Sequence, residues 1–364
     1  MGLDIESGFV AAAEFTDGAT PLLVRAATGT LRPGLFHDGE VVDVDGLADQ
    51  LKAFFGERKL SKRVRLGLAS QRIVVRVLEL PSIQEPQELD AAVRFQAQEE
   101  LPMPLEQAVL EHRLLERFID GESERMRVLV VAARRDSVEH LLTAARKAGL
   151  APELVDLSAF AIVRALHTSS PRQSANGAGG AEDAQAEVAE PAATLYCYVG
   201  GLTNLAIAVE STCVFNRVLP NGVESMAAAL AERRGLTLEH ARQWLRHVGL
   251  ERELEGIEGD REIVEEARQV LLGGLKRIGD EVRLSIEYYH SSVPNGRSVE
   301  RLVVAGPGVA VSGFPTALEG EVGIAVEPRS LGAVQVRPGV LDSVDATQLT
   351  VAAGLALDEV QVSA

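Results

Sequence analysis

Residues 1–15 read MGLDIESGFVAAAEF and residues 195–211 read LYCYVGGLTNLAIAVES, and the likeness between these stretches sets the architecture. In the first, Gly2 to Ile5 predicts a short buried strand that carries Asp4. Glu6-Ser7-Gly8 predicts a tight turn and Phe9 to Phe15 a second strand. In the second, Tyr196 to Val199 enters Gly200-Gly201, and Asn204 to Val209 leaves. The two glycines supply the positive φ angles and close backbone approach that such a turn needs. One strand-turn-strand is a hairpin. Two of them, each heading half of one chain, predict a duplicated α/β fold.

Between the halves the composition changes. Ser169 to Pro191 (SSPRQSANGAGGAEDAQAEVAEP) has almost no large apolar side chain. Such a segment cannot bury enough surface to offset its ordering entropy, which predicts a disordered linker over 169–192. The domains on either side are then 1–168 and 193–345, with a closing helix and tail over 346–364. Val64 to Leu80 is strand-rich and ends at Pro81. Leu89, Val93, Ala97 and Leu101 recur every four residues, so PQELDAAVRFQAQEELPMP is an amphipathic helix started near Pro86 and stopped by Pro102 and Pro104. VLEHRLLERF and MRVLVVAARR pair around Asp120-Gly121. A helix follows, with Asp136 as its cap and Gly149 at its end. Further on, two helices part at Gly235, with Thr237 capping the second. A long helical pattern from Arg261 to His290 is expected to bend at Gly273-Gly274.

With 46% hydrophobic and 24% charged residues in 364, the chain is globular with ample core. Its formal charge of −17 argues against nucleic-acid binding and against docking on an anionic membrane, both of which need clustered Lys and Arg. Acidic residues at the N-terminus and the lack of an eighteen-residue apolar run predict a cytoplasmic protein. Cys197 and Cys213 are expected to be reduced, buried thiols. No phosphate-loop, zinc-protease or paired-cysteine motif is present.

Several blocks, in order, resemble the PilM family of type IV pilus assembly proteins, actin-like and related to FtsA. They are ELPSIQEPQELDAAVRFQAQEELPMPLEQAVLEHRLLE, VLVVAARRDSVEHLLTAARKAGLAPELVDLSAFAIVRAL, FNRVLPNGVESM and DEVRLSIEYYHSS. The resemblance implies an actin-like (ribonuclease H-like) fold of two domains around a cleft. It also implies a small α/β subdomain inserted over about 73–155 and a helical one over about 222–298. The partner implied is a PilN-like bitopic inner-membrane protein, whose cytoplasmic N-terminal peptide would lie between the first domain and the inserted subdomain, near the Leu89–Leu101 helix. Membrane association would be indirect, at the inner face of the cytoplasmic membrane. Self-association is left open, as are an ATPase or small-molecule kinase of the superfamily and an FtsA-like filament protein.

The resemblance also supplies a candidate nucleotide site. Two hairpins clamp phosphates in such folds, implicating Ser7 and Gly8, then Gly200, Gly201 and Thr203, with Asp4 meeting Mg²⁺ through water. The adenosine loop corresponds to Gly306 and Gly308, with Glu281 and Arg283 on the long helix. The sequence departs from the family pattern, with Glu6-Ser7-Gly8-Phe9 in place of a small-residue turn, Ala11 in place of Lys, and Tyr198 in place of Asp. Weak or degenerate ATP binding without efficient catalysis is therefore expected. Asp156 and Arg164 are expected to form a structural ion pair.

Overall fold

The computed structural model describes residues 1–357 except 17, 19, 169–191, 294, 295 and 333. The expected linker and the tail beyond 357 lie outside the described residues.

β1 (Gly2–Glu6) and β2 (Phe9–Phe15) pair antiparallel, and β3 (Leu22–Thr30) follows beside β2. A two-residue pair, β4 (Phe36–His37) and β5 (Glu40–Val41), leads into α1 (Val44–Arg58). The Asp43 side chain caps α1 by accepting from the Gly46 N–H at 2.9 Å. β6 (Arg63–Leu68) returns parallel to β1. Next comes a separate three-stranded sheet of β7 (Val74–Pro81), β8 (Ala108–Asp120) and β9 (Ser123–Arg134), in the order β7-β9-β8. α2 (Pro86–Glu100) lies on one face of it through Val93 and Ala97, both buried; Leu89 of the expected stripe is half-buried.

α3 (Arg135–Lys147) then packs into one core with α1, through Leu141, Ala144 and Ala145 against Leu47 and Leu51. β10 (Ala151–Leu157) joins the first sheet beside β6. The residues after Arg134 thus rejoin the first domain's layers. Asp136 does not cap α3. It sits inside the first turn, accepts from the Ser137 N–H at 2.8 Å and pairs with Arg134, while Arg134 occupies the cap position.

α4 (Ser158–Leu166) completes the first half. The second repeats the plan with β11 (Ala193–Val199), β12 (Thr203–Val209) and β13 (Thr212–Leu219) as an antiparallel meander. α5 (Val223–Arg234) ends at Gly235 with φ +64°, and α6 (Leu238–Val248) starts where Thr237 Oγ1 accepts from the His240 N–H. α7 runs from Arg261 to Ser292 as one helix through Gly273-Gly274. β14 (Val299–Ala305), α8 (Phe314–Val322) and β15 (Ala325–Pro328) complete the second sheet, in the order β13-β12-β11-β14-β15.

The chain then crosses back. β16 (Gln335–Val336) pairs with β3, and α9 (Thr350–Ala356) packs with α4 and against β1 and β2. The first sheet therefore runs β10-β6-β1-β2-β3-β16. Cys197 and Cys213 are buried, free, and on opposite faces of the second sheet. Among the described residues no helix is long and apolar enough to cross a membrane.

Candidate functional site: the cleft between the hairpins

The β1–β2 hairpin of the first domain and the β11–β12 hairpin of the second meet turn to turn. Pairing of Glu6 with Phe9 closes the first turn, and Gly8 takes φ +100°, which a side-chain-bearing residue rarely adopts. In the second, the Gly200 N–H donates to the Leu202 carbonyl at 2.9 Å, and the Val223 N–H at the start of α5 donates to the Gly200 carbonyl at 2.8 Å. A cavity of about 370 Å³ opens between the turns, lined by Gly8, Gly200, Gly201, Pro307 and side chains of α5 and α6.

Its electrostatics are acidic. Glu224 and Glu239 line it with Asp345, and Asp4 and Glu6 lie buried beneath. Both arginines on its wall are already paired. Arg242 forks onto Glu224 with two 2.7 Å bonds and reaches Glu239 at 3.2 Å, while Arg246 meets Asp345 at 2.9 Å.

Glu6 carries the main departure from a phosphate-binding turn. Its Oε2 accepts from the Gly201 N–H at 2.8 Å and from the Leu202 N–H at 3.3 Å. Burial pushes its carboxyl up to about 7; the two N–H donors pull the other way, and Glu224 adds repulsion. Asp4 is held well above the usual carboxylate range by burial first and the Glu6 charge second. Asp4 Oδ2 and the Tyr198 hydroxyl are buried with no hydrogen-bond partner. Tyr198 is likewise pushed well above its ordinary value, chiefly by burial.

The residues expected at a nucleotide site divide. Gly8, Gly200 and Gly201 line the cavity, and Asp4 lies below it. Ser7 turns away, donating to the Phe36 carbonyl at 3.3 Å. Thr203 is fully buried and donates to the Asn221 carbonyl. Gly306 and Gly308 pack against Tyr198 and Val199, so the adjoining loop presents Pro307 to the cavity. Glu281 pairs with Arg217 at 2.7 Å; Arg283 pairs with Asp280 and donates to the Glu321 carbonyl. Neither lines the cavity. As arranged, the acids, the paired arginines and the occupied N–H groups do not fit a phosphate chain. Only the unpartnered Asp4 oxygen suits a cation.

A second cavity, of about 320 Å³, was not foreseen from the sequence. It lies where three units meet. Glu111 to Arg113 of β8 with Leu129 and Val131 of β9 form one wall, and Asp156, Phe160 and Arg164 form another. Ser211 to Cys213, at the turn between β12 and β13, form the third. Asp156 and Arg164 pair as expected, and Arg164 Nε also donates to the Gly354 carbonyl at 2.9 Å. The α2 helix is not a wall. Val128 and Val130 face α2, whereas Leu129 and Val131 face the opposite way, as strand alternation requires. That alternation in RVLVVAAR was the available signal.

Comparison with known proteins places this geometry. A family model described as type IV pilus assembly protein PilM matches residues 2–360. A solved PilM–PilN type IV pilus biogenesis complex contains a chain 25% identical, with TM-score 0.74, covering 98% of this chain and 96% of that one. The ethanolamine utilization protein EutJ from Carboxydothermus hydrogenoformans is 15% identical with TM-score 0.51, covering 97% and 88%. MreB5 of Spiroplasma citri, bound to ADP, is 14% identical with TM-score 0.48, covering 97% and 93%.

Proposed function

The chain belongs to the type IV pilus assembly protein PilM family, and on that premise we propose that it is an actin-like scaffold that acts by binding rather than by chemistry. Its partner is the cytoplasmic N-terminal segment of a PilN-like inner-membrane protein, through which it sits at the inner face of the cytoplasmic membrane. The observation that carries this is the match, over nearly the whole of both chains, to the protein solved with PilN. The three-walled cavity beside β8 and β9 is the seat we assign to that segment, because it is concave and lined by Leu129, Val131 and Phe160 among a few charged groups.

The cleft between the hairpins is read as a nucleotide site that has lost its affinity. Mg-ATP there would meet Glu224, Glu239 and Asp345 on the wall, above the buried Glu6 and Asp4, and no arginine on the wall is without a carboxylate partner. Calorimetric titration with a synthetic peptide of the partner's first twenty or so residues tests the scaffold. Micromolar binding, weakened about tenfold or more by Phe160→Ala, is expected. Absence of heat with folded protein at high micromolar peptide overturns it. A fluorescent ATP analogue bound tightly by the unmodified protein would overturn the reading of the cleft.

A further inference from the structure

The backbone donors of the second hairpin receive a group from the opposite domain. Glu6, a residue only 5% exposed, is the last of β1, and its carboxyl reaches across to the Gly201 and Leu202 N–H groups. The approach is close enough that a Cβ on Gly201 would lie 2.7 Å from Glu6 Oε2. Any other residue at that place would push the carboxyl off its donors. A contact of the opposite sense stands beside it. Glu224, in the first turn of α5 and gripped by Arg242, sits over Gly8, where a Cβ would come within 2.5 Å of its carboxyl carbon. Each hairpin turn is thus faced by a carboxylate of the other domain.

We infer that Glu6 is a built-in occupant of the cleft's anion seat, its carboxylate standing where a ligand phosphate would stand and clamping the two domains together without a nucleotide. Backbone N–H groups converging at a turn form a seat for an anion of any origin. A carboxylate carried on a neighbouring strand holds such a seat at high effective concentration, against which a dissolved anion competes poorly. The domains accordingly stay joined through these bonds in the ligand-free protein, and an incoming phosphate must first displace Glu6. This deepens the reading of the cleft given above and rests on it.

Hydrogen exchange followed by mass spectrometry, on peptides spanning residues 199–206, tests the clamp with neither ATP nor partner peptide present. In Glu6→Ala the Gly201 and Leu202 amides are expected to exchange about tenfold faster or more, the loss of one net hydrogen bond each. Millimolar pyrophosphate should restore their protection in the variant and leave the unmodified protein unchanged. Glu6→Leu fills a similar volume without an acceptor, and replacing a buried charge by an apolar group is often tolerated. It should lose the same protection, and it decides the matter should Glu6→Ala fail to fold. Unaltered protection in these variants, or a pyrophosphate effect of equal size in the unmodified protein and Glu6→Ala, overturns the clamp. Because no peptide takes part, unaltered exchange alongside tight peptide binding would refute the clamp and keep the scaffold.

Discussion

Glu6 is a carboxyl kept from water, and the fold's response to pH follows from that. Its titration lies near 7 in the folded protein against an ordinary 4.5, so between those values the folded chain binds the proton more tightly than the unfolded one. Stability from this group is therefore greatest below pH 4.5 and falls as pH rises toward 7, by at most about 3 kcal/mol. Asp4 on the same strand moves in the same direction; Glu224 from α5 adds repulsion, and Tyr198 from β11 stays neutral. Urea unfolding at pH 5 and pH 7.5, in a chelator, should show the gap between the two stabilities shifting in Glu6→Gln, with relatively more stability retained at pH 7.5. Equal gaps in both proteins would place Glu6 in water. The sequence showed that an acid had entered the turn; which donors it takes depends on a hairpin some 195 residues away, invisible to local pattern. The thiols were easier to read. Burial pushes both Cys197 and Cys213 up to about 12, so iodoacetamide at pH 8 should modify neither in the folded protein and both in urea, as mass spectrometry would record.

At the scale of elements, periodicity and punctuation were legible because they are local. Gly235 and Thr237 divide α5 from α6 at the expected residues, and Asp120-Gly121 sets the β8–β9 hairpin. What an element packs against was not legible. α7 continues as one helix through Gly273-Gly274, because Gly274 gives room to Met226 of α5 and packing outweighs the roughly 1 kcal/mol intrinsic penalty of a helical glycine. The closing helix is the sharper case. A Cβ on Gly354 of α9 would fall 1.8 Å from the Ala161 carbonyl oxygen of α4, so Gly354→Ala must drive two buried helices apart. A loss of about 3 kcal/mol is expected. Gly320 on α8 is the control, since nothing lies within 4 Å of its added Cβ. Gly320→Ala should be neutral or stabilise by up to about 1 kcal/mol. Urea midpoints of the two variants measure both. Comparable midpoints would show that α9 does not seat on α4 this closely.

At the scale of the molecule, the duplication was readable from two hairpins, whereas the three-walled cavity was not. Its walls come from residues 111–213, brought together only by the docking of the small sheet on both domains. Arg76 of β7 helps to fix that docking, donating to the Tyr288 hydroxyl of α7 at 3.2 Å with its guanidinium 5.8 Å from the ring centre. The return of the chain after the second domain is equally non-local and has a consequence for folding. Val351, Ala352, Ala353 and Leu355 of α9 share one buried core with Ala161, Ile162 and Leu166 of α4 and with Ala11 and Ala13 of β2. Arg164 donates to the Gly354 carbonyl from below, and β16 extends the first sheet at β3. The first domain is therefore completed by residues that follow the second. A fragment of residues 1–168 would expose the apolar faces of α4 and β2 to water, at roughly 25 cal/mol for each Å² uncovered, against a whole-protein stability of only about 5–15 kcal/mol. The fragment alone should accordingly melt without a cooperative transition, followed by circular dichroism. The same fragment joined through a Gly-Ser linker to residues 334–357 should recover one. A sharp transition in the fragment alone, near that of the full chain, would mean that α9 merely rests on a domain already complete.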